Sequence, residues 1–133
     1  MGAKKNIDSR SDIEMLVDKF YEKVIKDDLL SPIFLSIAQF DWNTHIPVMY
    51  DFWETVLFRK GNYKGNPVSK HIALDSKSKL KPKHFERWKF LFFETIDAFF
   101  EGSVAQEAKK KVEMMEKLML FKIDASRKDF FIQ

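Results

Sequence analysis

Apolar residues recur at helical spacing near the start of the chain, behind a pattern typical of a helix N-terminus. Residues 11–14, Ser-Asp-Ile-Glu, have the capping-box arrangement, in which serine and glutamate side chains bond the first free amides. The apolar positions that follow share one face and predict a helix to about Lys26: Ile13, Leu16, Val17, Phe20 and Val24. Tyr21 lies beside this face, so we expect its ring to reach the core while its hydroxyl finds a partner.

A second helix is predicted after Asp41, Asn43 and Thr44, each of which is a possible N-cap. Pro47 is expected in its first turn, where the missing N–H costs little. The apolar face of this helix includes a histidine, since its positions follow i, i+4, i+7, i+8 and i+11: His45, Met49, Phe52, Trp53 and Val56. Farther on, Asn66-Pro67 resembles an N-cap and first helical residue, which predicts a brief helix over residues 68–74.

A third helix begins at Pro82 and is apolar around most of its circumference, so we expect other elements to cover it on several sides. Its apolar residues are Phe85, Trp88, Phe90, Leu91, Phe92, Phe93, Ile96, Phe99 and Phe100. Gly102 is predicted to end it, and Ser103 with Gln106 to cap a fourth helix. The apolar stripe of that helix is Ala108, Val112, Met115, Leu118 and Met119. No stretch alternates convincingly as a strand, so the predicted class is all-α, with four substantial helices and one short helix.

Length and composition limit the number of domains and the classes of protein that the chain can belong to. A chain of 133 residues is expected to form a single domain over residues 1–133, with residues 1–10 as a loosely ordered N-terminal segment. The absence of cysteine excludes disulfides, thiolate metal sites, a cysteine nucleophile and a covalent haem anchor. No apolar run is long enough for a membrane span or a secretion signal, so we expect a cytoplasmic protein.

Charge is unevenly distributed along the chain. The formal net charge is only +3, yet residues 59–83 hold eight cations against one acid, Asp75. The cations are Arg59, Lys60, Lys64, Lys70, Lys77, Lys79, Lys81 and Lys83. This segment is either a solvated loop or a surface that meets phosphates or the carboxylates of a ligand.

The chemistry-bearing residues are few. No Ser/His/Asp order, phosphate-binding glycine loop or paired-histidine motif occurs, so a metal held by protein side chains alone is poorly supported. Two histidines, His45 and His71, remain as candidates, while His84 is expected to be a surface histidine without a role. Fourteen phenylalanines and three tryptophans provide either ordinary core packing or the walls of a site for a large flat group.

The spacing Gly-x-Tyr-x-Gly-x-Pro-x-x-x-His, formed by Gly61, Tyr63, Gly65, Pro67 and His71, resembles the proximal segment of group III truncated haemoglobins. Further resemblances to this bacterial family follow in order along the chain: Phe20-Tyr21, Pro32-Ile33-Phe34, His45 with Phe52-Trp53, and Trp88.

This resemblance implies a shortened two-over-two globin sandwich around one non-covalent haem b, with His71 as the iron ligand. It also implies that Tyr21 and Trp88 donate hydrogen bonds to dioxygen or another diatomic ligand on the distal side. On this resemblance we expect His45 to be a gate, a third distal polar group or a second iron ligand, and Pro47 to tilt it toward or away from the iron. Four residues are expected to form the apolar walls of the haem pocket: Phe34, Met49, Phe52 and Phe92.

Three functions remain open. The first is binding of dioxygen, and the second is redox chemistry at the same site on nitric oxide or peroxide, which needs an external reductase because the chain has no flavin or nicotinamide motif. The third is a helical module without haem that binds an acidic partner through residues 59–83. Nothing in the sequence indicates nucleic-acid or membrane binding, and the oligomeric state is left open.

Overall fold

Four long helices form the protein in a computed structural model, which describes residues 4–33, 41–60, 63, 65, 70, 71, 75 and 79–132. Side chains are described as far as residue 126, apart from that of Trp42. The helices are α1 (Arg10–Val24), α2 (Trp42–Phe58), α3 (Pro82–Phe99) and α4 (Ser103–Ile132). Within the described ranges, β-type pairing is limited to one isolated bridge, between Lys5 and Phe100. Lys70 and His71 are helical, as predicted for residues 68–74, but the rest of that stretch lies outside the described residues.

Helix α1 lies at the centre of the core, because it packs against both α2 and α3. Helix α4 covers α3 and also touches α2. The predicted apolar face of α1 is fully buried: Ile13, Leu16, Val17, Phe20 and Val24 are each at most 1% exposed. Burial of each such side chain stabilises the fold by about 1.5–3 kcal/mol, which explains why this face sets the position of α1. None of the helices, as far as they are described, is long and apolar enough to cross a membrane.

Helix α1 begins earlier than the sequence pattern predicted. Its N-cap is Ser9, whose side chain accepts a hydrogen bond from the Asp12 amide at 3.2 Å, so the expected cap at Ser11 was wrong. The Asp12 carboxylate accepts from the amide of Asp8 and from the ammonium of Lys5. Burial opposes ionisation of Asp12, but its hydrogen bonds to Lys5, Asp8 and Ser9 outweigh burial and lower its pKa to about 2.

Pro47 lies deeper in α2 than predicted. Asp41 is the N-cap and accepts from the Asn43 amide at 3.1 Å, so Pro47 falls in the second turn and not in the first. Because proline has no N–H, the carbonyl of Asn43 lacks its usual helical donor. The helix therefore has a weakened turn next to His45.

Helix α3 ends at Phe99, three residues before the predicted stop at Gly102. Phe100 is extended and pairs with Lys5 in the isolated bridge, where the Glu101 amide donates to the Lys5 carbonyl at 2.9 Å. Within the segment expected to be loosely ordered, residues 4–9 thus make specific contacts, and Ile7 is completely buried.

The N-terminus of α4 is capped by a residue from the other end of the sequence. The side-chain oxygen of Asn6 accepts from the amides of Val104 and Ala105 at 3.1 and 3.2 Å. The predicted local cap at Ser103 was wrong, since Ser103 is already helical. Gly102 approaches Asn6 with φ of +118°, and a Cβ at this glycine would lie 2.8 Å from Asn6 Cγ. Only glycine suits this junction.

Two predicted apolar surfaces are more exposed than expected. Phe90 on α3 is 53% exposed, with the Arg87 guanidinium 5.2 Å from its ring centroid. On α4, Leu118 is 46% exposed, because the buried stripe runs through Ala105, Ala108, Val112, Met119 and Ile123. His84 has a structural role that was not predicted, since its Nδ1 accepts from the Lys81 amide at the start of α3.

Candidate functional site

Tyr21 of α1 and His45 of α2 meet at the interface of these two helices. The Tyr21 hydroxyl oxygen lies 3.3 Å from Nε2 of His45, and their rings meet edge to face. Tyr21 is buried at 8% exposure, while His45 is half-buried. The structure therefore brings together two of the three residues predicted for the distal side.

Burial raises the pKa of the Tyr21 phenol far above its ordinary value of 10. Tyr21 consequently keeps its proton at every physiological pH and remains a hydrogen-bond donor.

His45 is held in the neutral form. Burial lowers its pKa to about 4, and the positive charges of Lys70 and His71 contribute to the same shift. Lys70 and His71 therefore lie close enough to the N-terminal part of α2 for their charges to affect the pKa of His45. In a neutral His45 one ring nitrogen donates a hydrogen bond and the other accepts one. His45 can therefore bond Tyr21 through one nitrogen and keep the other for a second partner.

His71, the predicted proximal ligand, is half-buried beside an aromatic ring of α3. Its ring centroid lies 6.1 Å from that of Phe85. Phe85 in turn packs against a small buried cluster made by Ile33, Leu80 and Ile123. An apolar wall that joins α3 and α4 thus lies behind His71.

Trp88, the third predicted distal residue, belongs to a column of aromatic rings. It stacks on Phe92 at 5.1 Å, and Phe92 stacks on Trp53 at 4.9 Å, with interplanar angles of 16° and 19°. Phe20 touches Trp88 at 4.8 Å and Tyr21 at 4.9 Å, each edge to face. Phe20 therefore links the two predicted donors, although they do not bond each other directly.

The predicted walls of the pocket lie in different environments. Phe52 is buried and touches Tyr63, and Met49 is half-buried against the core. Phe92 is completely buried among other aromatic rings, and in this structure its ring stacks against the ring of Trp88. Phe34 lies outside the described residues. The contact of these four residues with a haem stays a prediction.

The proximal motif is described only in part. Gly61 and Pro67 lie outside the described residues, whereas Tyr63 and Gly65 are included. A Cβ at Gly65 would lie 2.6 Å from the Tyr63 hydroxyl, so this close approach requires glycine. The motif thus contains a packing constraint as well as the histidine.

Two residues near the site were not identified from the sequence. Phe85 was assigned only to the apolar face of α3, and its contact with His71 spans fourteen positions that no periodicity connects. Lys70 was one cation among eight, and only its action on His45 distinguishes it. Six of the eight cations are described and all are exposed: Arg59, Lys60, Lys70, Lys79, Lys81 and Lys83.

An open groove of about 370 Å³ reaches Tyr21 from the outer surface of α1 and α2. It is lined by Asp18, Glu22, Ile25, Ile46 and Tyr21 itself. Solvent and small molecules thus approach one edge of the buried tyrosine.

No protein-family model matches the chain, whereas known proteins similar to it include haemoglobins. The sequence is 29% identical over 110 residues to the group 3 truncated hemoglobin ctb of Campylobacter jejuni, which covers 80% of this chain and 84% of that protein. The fold matches the crystal structure of group III truncated hemoglobin from Campylobacter jejuni with a TM-score of 0.76 and 28% identity, over 88% of this chain and 92% of that one.

Both matches are to the kind of protein that the sequence motifs indicated, and they extend well beyond those motifs. The all-α prediction and the predicted two-over-two architecture are confirmed. The chain therefore has the two-over-two globin fold and is similar in sequence and structure to group III truncated haemoglobins.

Proposed function

We propose that this protein holds one haem b between His71 on one side and Tyr21 with His45 on the other, and that it binds dioxygen or another diatomic ligand. The hydrogen-bonded pair of Tyr21 and His45 carries the proposal, because a neutral phenol and a neutral imidazole meet there in an otherwise aromatic interior. The relatives named above are haemoglobins, which supports the same cofactor here.

The chemistry of the available side chains fits a haem. His71 offers one imidazole beside the aromatic ring of Phe85, and this imidazole would ligate the iron of a bound haem. The low pKa of His45 fits too, because a neutral ring tolerates an apolar porphyrin better than a cation would. When bound, a haem with one histidine ligand supplies a free coordination position for a small ligand.

Tyr21 acts as the main donor to that ligand. Its raised pKa keeps the proton on the hydroxyl, and Phe20 fixes the ring edge to face. His45 accepts from Tyr21 in one tautomer and donates to Tyr21 or to the ligand in the other. Trp88 adds an indole N–H, and its stacking on Phe92 limits how far the ring can move.

Lys70 is the cation best suited to a haem propionate. It is exposed and adjacent to His71, and its charge acts on His45. It therefore lies at the edge of the proposed site, where a lysine ammonium can pair with a carboxylate while remaining hydrated.

The visible spectrum of purified protein mixed with haemin tests the proposal. We expect one equivalent to bind with a sharp Soret band, and His71→Ala to lose that band while free imidazole partly restores it in His71→Gly. His84→Ala is the matched control, since His84 caps α3 and has no part in the proposed site. A protein that stays colourless contradicts the proposal and favours binding of an acidic partner through residues 59–83.

Redox chemistry at the same site is the second candidate. Tyr21 and His45 would retain a ligand bound beside them, and retention would suit oxidation of nitric oxide or reduction of peroxide better than delivery of oxygen. Such turnover needs electrons from a separate reductase. If reduced protein consumes nitric oxide no faster than free haem does, this candidate is excluded.

A further inference from the structure

Helix α4 has an exposed apolar strip on its outer face. Met114, Leu118 and Phe121 follow the spacing i, i+4 and i+7, so they lie on one side of the helix. They are 64%, 46% and 68% exposed, although the opposite face of α4 is buried against the core. Three large apolar side chains side by side in water are typical of a contact surface.

Four lysines border this strip: Lys110, Lys111, Lys117 and Lys122. Within the described part of the chain, none of the four forms an ion pair, whereas the neighbouring Lys109 pairs with Asp97. Glu116 does not offset them, because it points inward and pairs with Lys89. Two exposed acids, Glu113 and Asp124, also lie on this helix, so the surface has an apolar centre and a border in which cations outnumber acids.

The C-terminal end of the strip lies over the His71 side of the proposed site. Ile123, two residues beyond Phe121, belongs to the buried cluster that contacts Phe85. Phe85 is the ring beside His71, at 6.1 Å. Two side chains, Ile123 and Phe85, thus connect α4 with the proposed iron ligand.

We propose that this surface, formed by the apolar strip and its four lysines, is the docking site for a small acidic protein that donates single electrons to the haem. The inference rests on the proposed function. In the transfer, the donor is oxidised by one electron and ferric iron is reduced to ferrous iron, and no proton or group moves.

The size and charge of the surface fit such a partner. Electron-transfer complexes bury little area and dissociate quickly, so a short apolar centre suffices. Complementary charge then raises the rate of association, and ionic strength lowers it. The strip extends over seven residue steps, or about 10 Å of helix, which is short for a membrane-bound amphipathic helix.

The test uses a bacterial flavodoxin, an acidic flavin protein, as the probe. Its binding to the haem-loaded protein is measured by fluorescence anisotropy at low and at high ionic strength. The charge-reversal variant is Lys117→Glu with Lys122→Glu. The matched control, Lys19→Glu with Lys26→Glu, makes the same change in net charge at two exposed lysines of the α1 region, outside residues 59–83.

We expect the α4 variant to bind flavodoxin at least tenfold more weakly at low ionic strength and to lose most of the salt dependence, while the control changes less than twofold. Reduction of the iron by photoreduced flavodoxin should slow by a similar factor. Reduction by dithionite should be unchanged in all three proteins, which shows that the haem site is intact.

Two results overturn the proposal. One is equal binding of flavodoxin by all three proteins, or no binding by the unmodified protein. The other is lysine-dependent binding to vesicles of anionic lipid without any effect on flavodoxin, which would assign the surface to a membrane. Anisotropy does not depend on haem, so failure of the docking site is distinguishable from failure of haem binding.

Discussion

The hydroxyl of Tyr21 and Nε2 of His45 lie 3.3 Å apart, within a hydrogen bond that joins α1 to α2. Each group is kept in its neutral form by burial, although burial acts on them in opposite directions: it raises the pKa of the phenol and lowers that of the imidazole. The pair therefore keeps its proton arrangement across the whole neutral range of pH.

Replacing Tyr21 with phenylalanine removes the hydroxyl and keeps the ring. A hydrogen bond to a charge-bearing ligand contributes about 1.5–3 kcal/mol, so we expect dioxygen to dissociate roughly ten to a hundred times faster. Stopped-flow displacement of oxygen by carbon monoxide measures this rate. Tyr50→Phe is the control, because Tyr50 bonds Asp18 on the outer surface and should leave the rate unchanged.

Replacing Trp88 with phenylalanine removes the indole N–H while keeping a ring that can stack on Phe92. If the indole donates to the ligand, dioxygen should dissociate about tenfold faster. The double variant with Tyr21→Phe measures the coupling between the two donors. A Trp88→Phe protein with the same dissociation rate as the unmodified protein would show that Trp88 acts only in packing.

The low pKa of His45 makes stability depend on pH. The unfolded chain protonates this histidine near its ordinary value of 6.5, whereas the folded chain does so only near 4. Between these values the unfolded state binds more protons, so stability falls as pH decreases from 6.5 to 4. We expect Tm to fall less steeply over this window in His45→Gln than in the unmodified protein, as measured by circular dichroism. If Tm falls equally steeply with pH in the two proteins, the pKa of His45 is not lowered by folding.

Asp27 forms a buried polar link between the end of α1 and α3. It is 7% exposed, accepts from the amides of Leu29 and Leu30, and pairs with Arg87 at 2.6 Å. Asp27→Ala leaves these donors without a partner and should cost about 2–4 kcal/mol. Denaturant unfolding measures the loss. Asp28→Ala is the control at the neighbouring exposed position, and a similar loss there would contradict this explanation.

Asn6 caps α4 from the opposite end of the sequence. Asn6→Ala should lower the free energy of unfolding by about 1–2 kcal/mol, because two amides at the helix start lose their acceptor. Asn43→Ala is the control, since the side chain of Asn43 is exposed near the start of α2. This change should lower the free energy of unfolding by less than about 0.5 kcal/mol.

The helices were predictable from the sequence because their buried faces repeat at helical spacing. The face of α1 and the pairing of Tyr21 with a partner follow from positions within one helix. Motif order along the chain then predicted that His45, His71 and Trp88 belong to one site. The structure confirms the fold, whereas the roles of these three residues stay predictions.

The errors arise where distant parts of the chain meet. The cap at Ser103 was expected from local pattern, but Asn6 supplies it from nearly a hundred residues away. The exposure of Phe90 depends on where α4 lies against α3, which the periodicity of α3 alone does not determine. Phe85 and Lys70 were overlooked for the same reason, since their neighbours come from other segments.

The contact between Asn6 and the start of α4 also sets an order of events during protein synthesis. Residues 4–9 are translated before α4, and the two α4 amides that donate to Asn6 are made only after three helices have been translated. The cap that Asn6 provides therefore cannot form until the last helix has been translated. Protection of the Val104 and Ala105 amides from hydrogen exchange would report when this cap forms.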